Sequence, residues 1–317
     1  MRNFTTFAMF ILTCMPFVKA TELTVIGTNL EEAALDSGAL GGRFSANESG
    51  QEFYDLLDDL PFTQTSLNSF ISGDDSLRFM GQNSAKVLIL SDGFSQTSVT
   101  GIGGSRNYHF LDPFFYDQIL VQTGGGSSVH GNGAFSGTIQ FNRSYKPKDR
   151  YLISVGGEGY QKIAYQKYFV ANKQIWGIEL LRLYKSGPSL VESSSEKKSE
   201  DDQRTLGSVR LSWKEGRSKL SSELSASYLY DYQDFDQFNV DDTRPYSKDK
   251  NVEILGKKSF MVGEQLFSSI SARYQVNQKN VNNVLADQES FLVYSNESIF
   301  LKTQLDFLDD KFLDIFT

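Results

Sequence analysis

The chain has 317 residues, with 31 basic and 39 acidic side chains and a formal net charge of −8. The basic residues are scattered along the sequence, whereas a nucleic-acid surface needs a clustered basic face, so nucleic acid is excluded as a partner. One cysteine and two histidines are too few for a cysteine or histidine zinc site.

The first 20 residues have the organisation of a secretory signal peptide. Arg2 precedes an apolar run from Phe7 to Val18, which is too short to span a bilayer, and Val18-Lys19-Ala20 offers small residues at a cleavage site. We predict a signal peptide at residues 1–20. The protein is then exported, and its mature chain lacks Cys14 and every disulfide.

Residues 21–145 mix helical and strand signals. Apolar residues at helical spacing predict a helix from Glu52 to Leu60. Short apolar runs predict strands at Leu77 to Met80, Lys86 to Leu90, Ile119 to Gln122 and Thr138 to Phe141. The sequence therefore predicts a small α+β domain with glycine-rich connections.

Six glycines fall within residues 118–141, which read QILVQTGGGSSVHGNGAFSGTIQF. A phosphate-binding loop would place a lysine after the glycines, and a dinucleotide fingerprint would open a helix with G-x-G-x-x-G. This stretch has neither pattern, and a strand follows it. The glycines therefore do not predict a nucleotide site.

From Tyr151 onward, strands with period-two alternation follow one another. The runs are about ten residues long, the length that a tilted strand needs to cross a bilayer. One face is predicted to meet lipid through Leu220, Leu224, Leu266, Ile270 and Leu301. The other face is predicted to turn inward and carries Glu223, Arg273 and Lys302.

The connections between these strands alternate in length, as they do in outer-membrane barrels. Short turns are predicted at Asn172-Lys173, Lys214 to Ser218, Met261 to Gly263 and Ser295 to Glu297. Longer polar loops are predicted at Ser186 to Gln203, Gln233 to Lys250 and Asn277 to Asp287. This gives about nine transmembrane strands, with a soluble β-sandwich as the alternative.

Two segments resemble the plug domain of TonB-dependent outer-membrane receptors: LRFMGQNSAKVLILSDG at residues 77–93 and FLDPFFYDQILVQTGGGSSVHGNGAFSGTIQFN at residues 110–142. In that family the plug fills the lumen of a barrel of about 22 strands. Met80, Leu120 and Thr123 depart from the family pattern. The family has charged residues there, which pair within the plug and with the barrel wall, so the sequence leaves that tether in doubt.

The resemblance implies a plug domain at residues 21–145 and the first part of the barrel at residues 146–317. About nine strands of an expected 22 would leave an open or incomplete antiparallel sheet. We therefore expect a truncated form of the receptor, in the outer membrane of a Gram-negative cell and in contact with its lipid.

A segment similar to the Ton box lies at the start of the mature chain. Leu23, Thr24, Val25, Ile26 and Gly27 form a short β-prone run beside the plug-like region. The resemblance implies that this run binds the TonB complex of the inner membrane. Such a segment would add as an edge strand to its partner through main-chain hydrogen bonds. An ordinary first strand of the plug is the alternative.

The resemblance also implies an apical plug loop that contacts the solute. In this sequence the loop holds Gln96, Ser98, Thr100, Arg106 and Tyr108, which are polar and carry one cation. Hydrogen bonding to a bulky polar solute is one interpretation of the loop, and a plain exposed turn is the other.

Acidic residues crowd one of the long loops. Asp231, Asp234 and Asp236 would offer the oxygen ligands that Ca²⁺ prefers, but the EF-hand spacing is absent. A solvated acidic loop is the alternative, and no other cofactor is expected.

The function implied by the resemblance is energy-dependent uptake of a scarce solute, such as an iron–siderophore complex, cobalamin or a similar metal chelate. A binding or adhesion protein that retains the plug without active transport is the alternative. The chain has no G-x-S-x-G nucleophile elbow and no pair of catalytic side chains that the sequence singles out, so we do not expect an enzyme.

Overall fold

The computed structural model describes most of the chain in fourteen segments. These are residues 41–45, 53–58, 63–66, 76–83, 87–96, 111–123, 134–143, 149–157, 159–187, 202–217, 220–234, 246–262, 266–285 and 288–307. In these segments, no helix combines the length and the apolarity needed to cross a membrane.

The N-terminal unit, which we define as the described residues between 41 and 143, contains one helix and eight short strands. The helix is α1 (Phe53–Asp58). The strands are β1 (Gly41–Ser45), β2 (Thr63–Ser66), β3 (Ser76–Phe79), β4 (Gln82–Asn83), β5 (Val87–Ser91), β6 (Phe94–Ser95), β7 (Gln118–Thr123) and β8 (Gly137–Asn142). The predicted helix and the four predicted strands are confirmed to within about two residues at each end.

Two small sheets build this unit. One has the order β1-β7-β8-β5-β6 and the other the order β2-β3-β4. Only β5 and β8 pair in parallel; the other described pairs are antiparallel. β5 is buried along its whole length, as expected for a strand that lies in the middle of a sheet covered on both faces.

The second part of the chain is one antiparallel meander, which we call the long sheet. Its strands are β9 (Asp149–Val155), β10 (Gln161–Ala171), β11 (Gln174–Gly187), β12 (Asp202–Arg217), β13 (Leu220–Asp234), β14 (Tyr246–Val262), β15 (Leu266–Leu285) and β16 (Gln288–Phe307). Each strand pairs with the next in sequence order, and β9 and β16 form the two edges of the described sheet. The open antiparallel sheet expected from the sequence is confirmed.

The long sheet has eight described strands where the sequence suggests about nine. Residues 277–285, expected as part of a loop, continue β15, and the turn expected at residues 295–297 lies inside β16. Asn277 pairs with Asn296 across these two strands. Polar side chains on both faces hide the alternation of a strand, but they leave its main-chain ladder intact.

The turns fall on the two ends of the sheet as the antiparallel order requires. Asn172 and Lys173 both have positive φ, at 52° and 65°, which is the backbone of a type I′ hairpin turn. The loop predicted at residues 233–250 is shorter than expected, because β13 runs to Asp234 and β14 begins at Tyr246.

The outer face of the long sheet is apolar and exposed. Leu220, Leu224, Ile270 and Leu301 are 51%, 50%, 38% and 67% exposed, so four of the five predicted outward positions are confirmed. The side chain of the fifth, Leu266, is outside the described residues. Trp176 and Trp213 lie side by side on neighbouring strands, with ring centroids 6.4 Å apart.

The main hydrophobic core joins the two parts of the chain. The N-terminal unit contributes α1 and the buried faces of β5, β7 and β8, with Phe141 packed against Phe53 and Tyr116. Ala164, Leu181 and Leu206 extend the same core from the inner face of the long sheet. The long sheet therefore curves with this face against the N-terminal unit.

Candidate functional site

A row of polar side chains crosses the inner face of the long sheet, with one residue from every strand. The strand register places the following residues side by side: Arg150, Gln166, Glu179, Arg210, Ser227, Glu253, Gln275 and Ser298. We call these eight residues the polar row. All of them are buried or half-buried, so the row faces the N-terminal unit along the part of the sheet that touches it.

The turn between β5 and β6 is the part of the N-terminal unit that reaches the polar row. Asp92 and Gly93 have φ values of 51° and 84°, again the backbone of a type I′ turn. Asp92 accepts hydrogen bonds from the backbone N–H and from Nη1 of Arg143, and Nη2 of Arg210 lies 3.5 Å from its Oδ2. One carboxylate thus holds two guanidinium groups, one of them on β12.

Arg143 extends this contact to β11. Its Nε donates to Oε2 of Glu179 at 3.2 Å, and its guanidinium lies 4.1 Å from the ring centroid of Tyr116. The hydroxyl groups of Tyr116 and Ser91 are 2.9 Å apart. The charges therefore alternate in space from Arg210 through Asp92 and Arg143 to Glu179.

The electrostatics of this cluster favour its charged form. Burial alone would raise the pKa of the Asp92 carboxyl, but the guanidinium groups of Arg143 and Arg210 outweigh it and hold that pKa below its ordinary value. Burial would lower the pKa of Arg143, and the negative charge of Glu179, joined by Tyr116 and Asp92, raises it well above the ordinary value. Burial raises the pKa of Tyr116.

Glu179 is also held in place by side chains of the neighbouring strand β10. The hydroxyl of Tyr168 donates to Oε1 of Glu179 at 2.6 Å, and Nε2 of Gln166 donates to the same oxygen at 3.2 Å. The Tyr168 ring reaches Glu179 by lying across Gly177, where a β-carbon would overlap this ring and the Ser212 hydroxyl. The glycine at this position is therefore required by a close side-chain approach.

A second set of contacts joins the N-terminal unit to β9 and β10. Nζ of Lys162 lies 2.8 Å from Oδ2 of Asp112, and the Lys162 side chain is fully buried. Asp112 also caps the short 3-10 turn Pro113–Phe115 by accepting from the backbone N–H of Phe114. Arg150 lies 3.5 Å from Asp117 and places its guanidinium 5.3 Å from the Phe114 ring centroid.

A third set reaches the strands at the opposite edge of the sheet. The guanidinium of Arg273 on β15 lies 5.5 Å from the ring centroid of Phe94 in β6. Nζ of Lys302 on β16 lies 3.7 Å from the position that a β-carbon would occupy on Gly93. The predicted inward direction of these two cations is confirmed. Glu223, the third predicted inward residue, also lies on the inner face, on the same side of β13 as Ser227, and accepts a hydrogen bond from Nζ of Lys214 there.

A cleft opens where the N-terminal unit meets the middle of the polar row. The N-terminal unit contributes polar groups from Ser91, Gln96, Tyr116 and Arg143 to its lining. The facing strands contribute side chains of both charges and several hydroxyl and amide groups: Glu179, Ser208, Arg210, Ser227, Asn251 and Glu253. The cleft can therefore both donate and accept hydrogen bonds.

Residues 44–138 match the family described as "TonB-dependent Receptor Plug Domain". They include β2 to β7, the ends of β1 and β8, the Asp92 turn, and Asp112 and Asp117. This part of the chain is a TonB-dependent receptor plug domain. The plug domain of this chain thus packs against the polar row. Its ion pairs with the long sheet use Asp92, Asp112 and Asp117, not positions 80, 120 and 123.

Solved structures extend the likeness to most of the chain. The ferric yersiniabactin uptake receptor FyuA of Yersinia pestis is similar with a TM-score of 0.66 and 13% identity, over 87% of this chain and 47% of that one. The siderophore receptor PiuA of Acinetobacter baumannii has a TM-score of 0.59 and 14% identity, over 84% and 42%.

A third similar structure is FpvA of P. aeruginosa bound to heterologous pyoverdines, with a TM-score of 0.62 and 11% identity over 84% of this chain and 39% of that one. The plug domain and the long sheet therefore share the fold of these receptors, and the chain spans less than half the length of each. No curated protein matches the sequence.

The residues predicted to contact a solute are placed only in part. Gln96 directly follows β6, is buried, and lines the cleft. Ser98, Thr100, Arg106 and Tyr108 are outside the described residues, and so is the predicted Ton box from Leu23 to Gly27.

Two of the three candidate calcium ligands are described. Arg204 holds Asp231 through two hydrogen bonds, of 3.0 and 2.6 Å, in a pair that is almost fully buried. Asp234 is also buried, and Asp236 is outside the described residues. In the described segments no group of three or more acidic, histidine or cysteine side chains is arranged to hold a metal ion. Asp231 and Asp234 therefore lie in β13 and not in a loop as expected, and a calcium site at these residues remains a prediction.

The polar row itself was not predicted. Inward positions in each strand can be assigned from alternation, but a row also needs the register between neighbouring strands, and loop lengths alone do not fix it. The available signal was the presence of Arg, Glu and Gln at inward positions of otherwise small or apolar strands. Asp92 carried a second signal, because its place in a Asp-Gly turn indicates a defined hairpin.

Proposed function

We propose that this protein is the receptor component of a TonB-dependent uptake system in the outer membrane. The observation that carries the proposal is a plug domain joined by buried ion pairs to the inner face of a sheet that has the fold of siderophore receptors. These ion pairs act together with the apolar contacts of Ala164, Leu181 and Leu206 to hold the plug domain against the sheet.

Exposed apolar side chains support a position in the membrane. On β9, Tyr151, Ile153 and Val155 are 79%, 73% and 77% exposed, and Ile299 and Leu301 repeat the pattern on β16. Apolar surface of this extent is costly in water and favourable against lipid. We propose residues 1–20 as the export signal, residues 21–145 as the plug domain with its Ton box and residues 146–317 as part of the barrel.

The cleft supports a polar solute. The similar structures are described as an uptake receptor for ferric yersiniabactin, a siderophore receptor and a receptor bound to pyoverdine. We therefore propose a ferric chelate as the solute, ahead of cobalamin. Gln96 would contact it, together with Ser98, Thr100, Arg106 and Tyr108 in the plug loop.

Binding to TonB tests the proposal. Leu23 to Ile26 is the segment proposed to add as a strand to the periplasmic domain of TonB. The variant Val25→Pro removes a backbone donor and fixes φ, whereas Val25→Ile keeps the β-branched side chain. We expect Val25→Pro to lower the affinity for purified TonB periplasmic domain at least about tenfold, as loss of strand hydrogen bonds would, and Val25→Ile to leave it unchanged. Equal affinities of both variants would contradict the proposal.

A further inference from the structure

The outer face of the long sheet carries a compact group of tyrosines and lysines on β13 and β14. Tyr230 pairs with Lys250 and Tyr232 with Lys248, and Tyr246 lies two residues before Lys248 on the same face. We call these five residues the tyrosine–lysine patch. Directly opposite residues of neighbouring strands are about 5 Å apart and alternate residues of one strand about 7 Å apart, so all five lie close together.

Contacts of Lys248 hold the patch together. Its Nζ lies 4.4 Å from the ring centroid of Tyr246 and 5.5 Å from that of Tyr232. The two ring centroids are 5.9 Å apart. An ammonium group carries three N–H donors, so contact with two rings leaves it able to bind an acceptor.

The charges of the two lysines are not neutralised on their own face. Asp249 stands between them in the sequence, but it points to the inner face, where Nζ of Lys279 lies 3.9 Å from its Oδ2. The strand register continues the two rows of the patch with uncharged residues on β12 and β15: Gly207, Thr205, Gln278 and Asn280. Among the residues that the structure describes, Lys248 and Lys250 form no ion pair, so the patch is positively charged.

The patch lies where the apolar band of the outer face ends. Leu224 and Tyr228, which share the face of Tyr230 on β13, are exposed, and so are Val252 and Ile254 on β14. The patch is at the end of the sheet where the longer connections join β11 to β12 and β13 to β14. Longer loops of outer-membrane barrels are extracellular, and tyrosines and lysines at the edge of an apolar band meet lipid headgroups. The patch would then face the outer leaflet.

We propose that the tyrosine–lysine patch binds the phosphate groups of an outer-leaflet glycolipid of the lipid A type. The inference rests on the proposed position in the outer membrane and adds a lipid site that solute transport does not require. Two ammonium groups on alternate residues of one strand complement a phosphorylated sugar headgroup, and the tyrosine hydroxyls can donate further hydrogen bonds to it. The acyl chains of the same lipid would lie along the exposed apolar residues next to the patch.

Binding of fluorescent diphosphoryl lipid A to the purified 317-residue chain in nonionic detergent tests the patch, with fluorescence anisotropy as the readout. We expect the double variant Lys248→Gln/Lys250→Gln to weaken binding roughly tenfold or more, as loss of two cations at an anionic lipid surface would. Lys258→Gln is the matched control, because Lys258 is an exposed lysine on the outer face of the same strand, at the opposite end of the sheet. This variant should bind lipid A as tightly as the unsubstituted chain.

The headgroup is tested on the unsubstituted chain, which makes the result independent of how the variants fold. Lipid A without its phosphates should compete roughly tenfold more weakly than the diphosphoryl form. Inorganic phosphate at the same concentration should not displace the labelled lipid, and displacement would assign the patch to free phosphate instead. Equal binding by the double variant and Lys258→Gln, or equal competition with and without the phosphates, would overturn the lipid site. Loss of TonB-dependent uptake with intact lipid A binding would contradict the proposed function alone.

Discussion

Asp92 and Arg143 lie 51 residues apart in the chain and meet through two hydrogen bonds, one to the backbone and one to the side chain of Arg143. The pair ties the β5–β6 turn to the end of β8, and from there Arg210 and Glu179 connect it to the long sheet. A single turn of the plug domain is thereby connected by ion pairs to two neighbouring strands of the long sheet, β11 and β12. This arrangement leads to the following predictions.

Removing the charge of Asp92 should weaken the attachment of the plug domain to the long sheet. Asp92→Asn keeps a residue type that tolerates positive φ, so the turn itself is preserved. Two buried guanidinium groups would lose their carboxylate, and we expect the free energy of unfolding in urea to fall by on the order of 3 kcal/mol. Asp149→Asn is the control, because its ion pair with Lys167 is solvent-exposed. Equal stability of the two variants would mean that the Asp92 cluster does not hold the plug domain.

The same carboxylate predicts a dependence on pH. A folded pKa below the unfolded value stabilises the protein above the ordinary pKa of 3.8, and that stabilisation is lost as the pH falls through the lower, folded pKa. The difference in melting temperature between the unsubstituted chain and Asp92→Asn should therefore be constant near neutral pH and shrink in acid. A difference that grows in acid would contradict the assigned ion pairs.

Gly177 should tolerate no side chain. In Gly177→Ala the new methyl would displace the Tyr168 ring and break its hydrogen bond to Glu179, and overpacking of this kind costs roughly 1 to 3 kcal/mol. Gly256→Ala is the matched control, since a β-carbon there has open space within 4 Å. Urea unfolding measures both variants. If Gly177→Ala is as stable as Gly256→Ala, the Tyr168 ring does not need this glycine.

The amino-acid sequence of the tight turn between β10 and β11 is not the most stable one for its backbone conformation. Lys173 has a φ of 65°, and a residue with a β-carbon pays about 1 kcal/mol or more to adopt that conformation. Lys173→Gly creates the preferred Asn-Gly pair of a type I′ turn and should raise the melting temperature. Ala171→Gly, within β10, should lower it, because glycine weakens a strand. A lower melting temperature for Lys173→Gly would contradict the turn.

The elements of the plug domain were largely predictable from the sequence, because each is a short local pattern. Helix α1 has apolar residues at helical spacing, and β5 is a continuous apolar run that ends at an Asp-Gly turn. The outward face of the long sheet was predictable for the same reason. Leu220 and Leu224 alternate with polar residues, so their common direction follows from the strand geometry alone.

The contacts of the site were not predictable in the same way. Asp92, Arg143 and Arg210 come from three elements, and no local pattern relates them. Positions 80, 120 and 123 lack the charges of the family pattern, which suggested a missing tether, whereas the tether depends on charges elsewhere. The ends of β15 and β16 were missed because asparagine and glutamine on both faces remove the alternation that identifies a strand.

Uptake by living cells tests the central proposal most directly. Cells that produce the protein would be supplied with radiolabelled ferric siderophores, and accumulation would be compared between strains with and without TonB and between Val25→Pro and Val25→Ile. The account predicts accumulation of at least one chelate that requires TonB and is lost in Val25→Pro but retained in Val25→Ile. Cell-surface binding of a chelate with no TonB-dependent accumulation would contradict transport and indicate a binding protein that retains a plug domain.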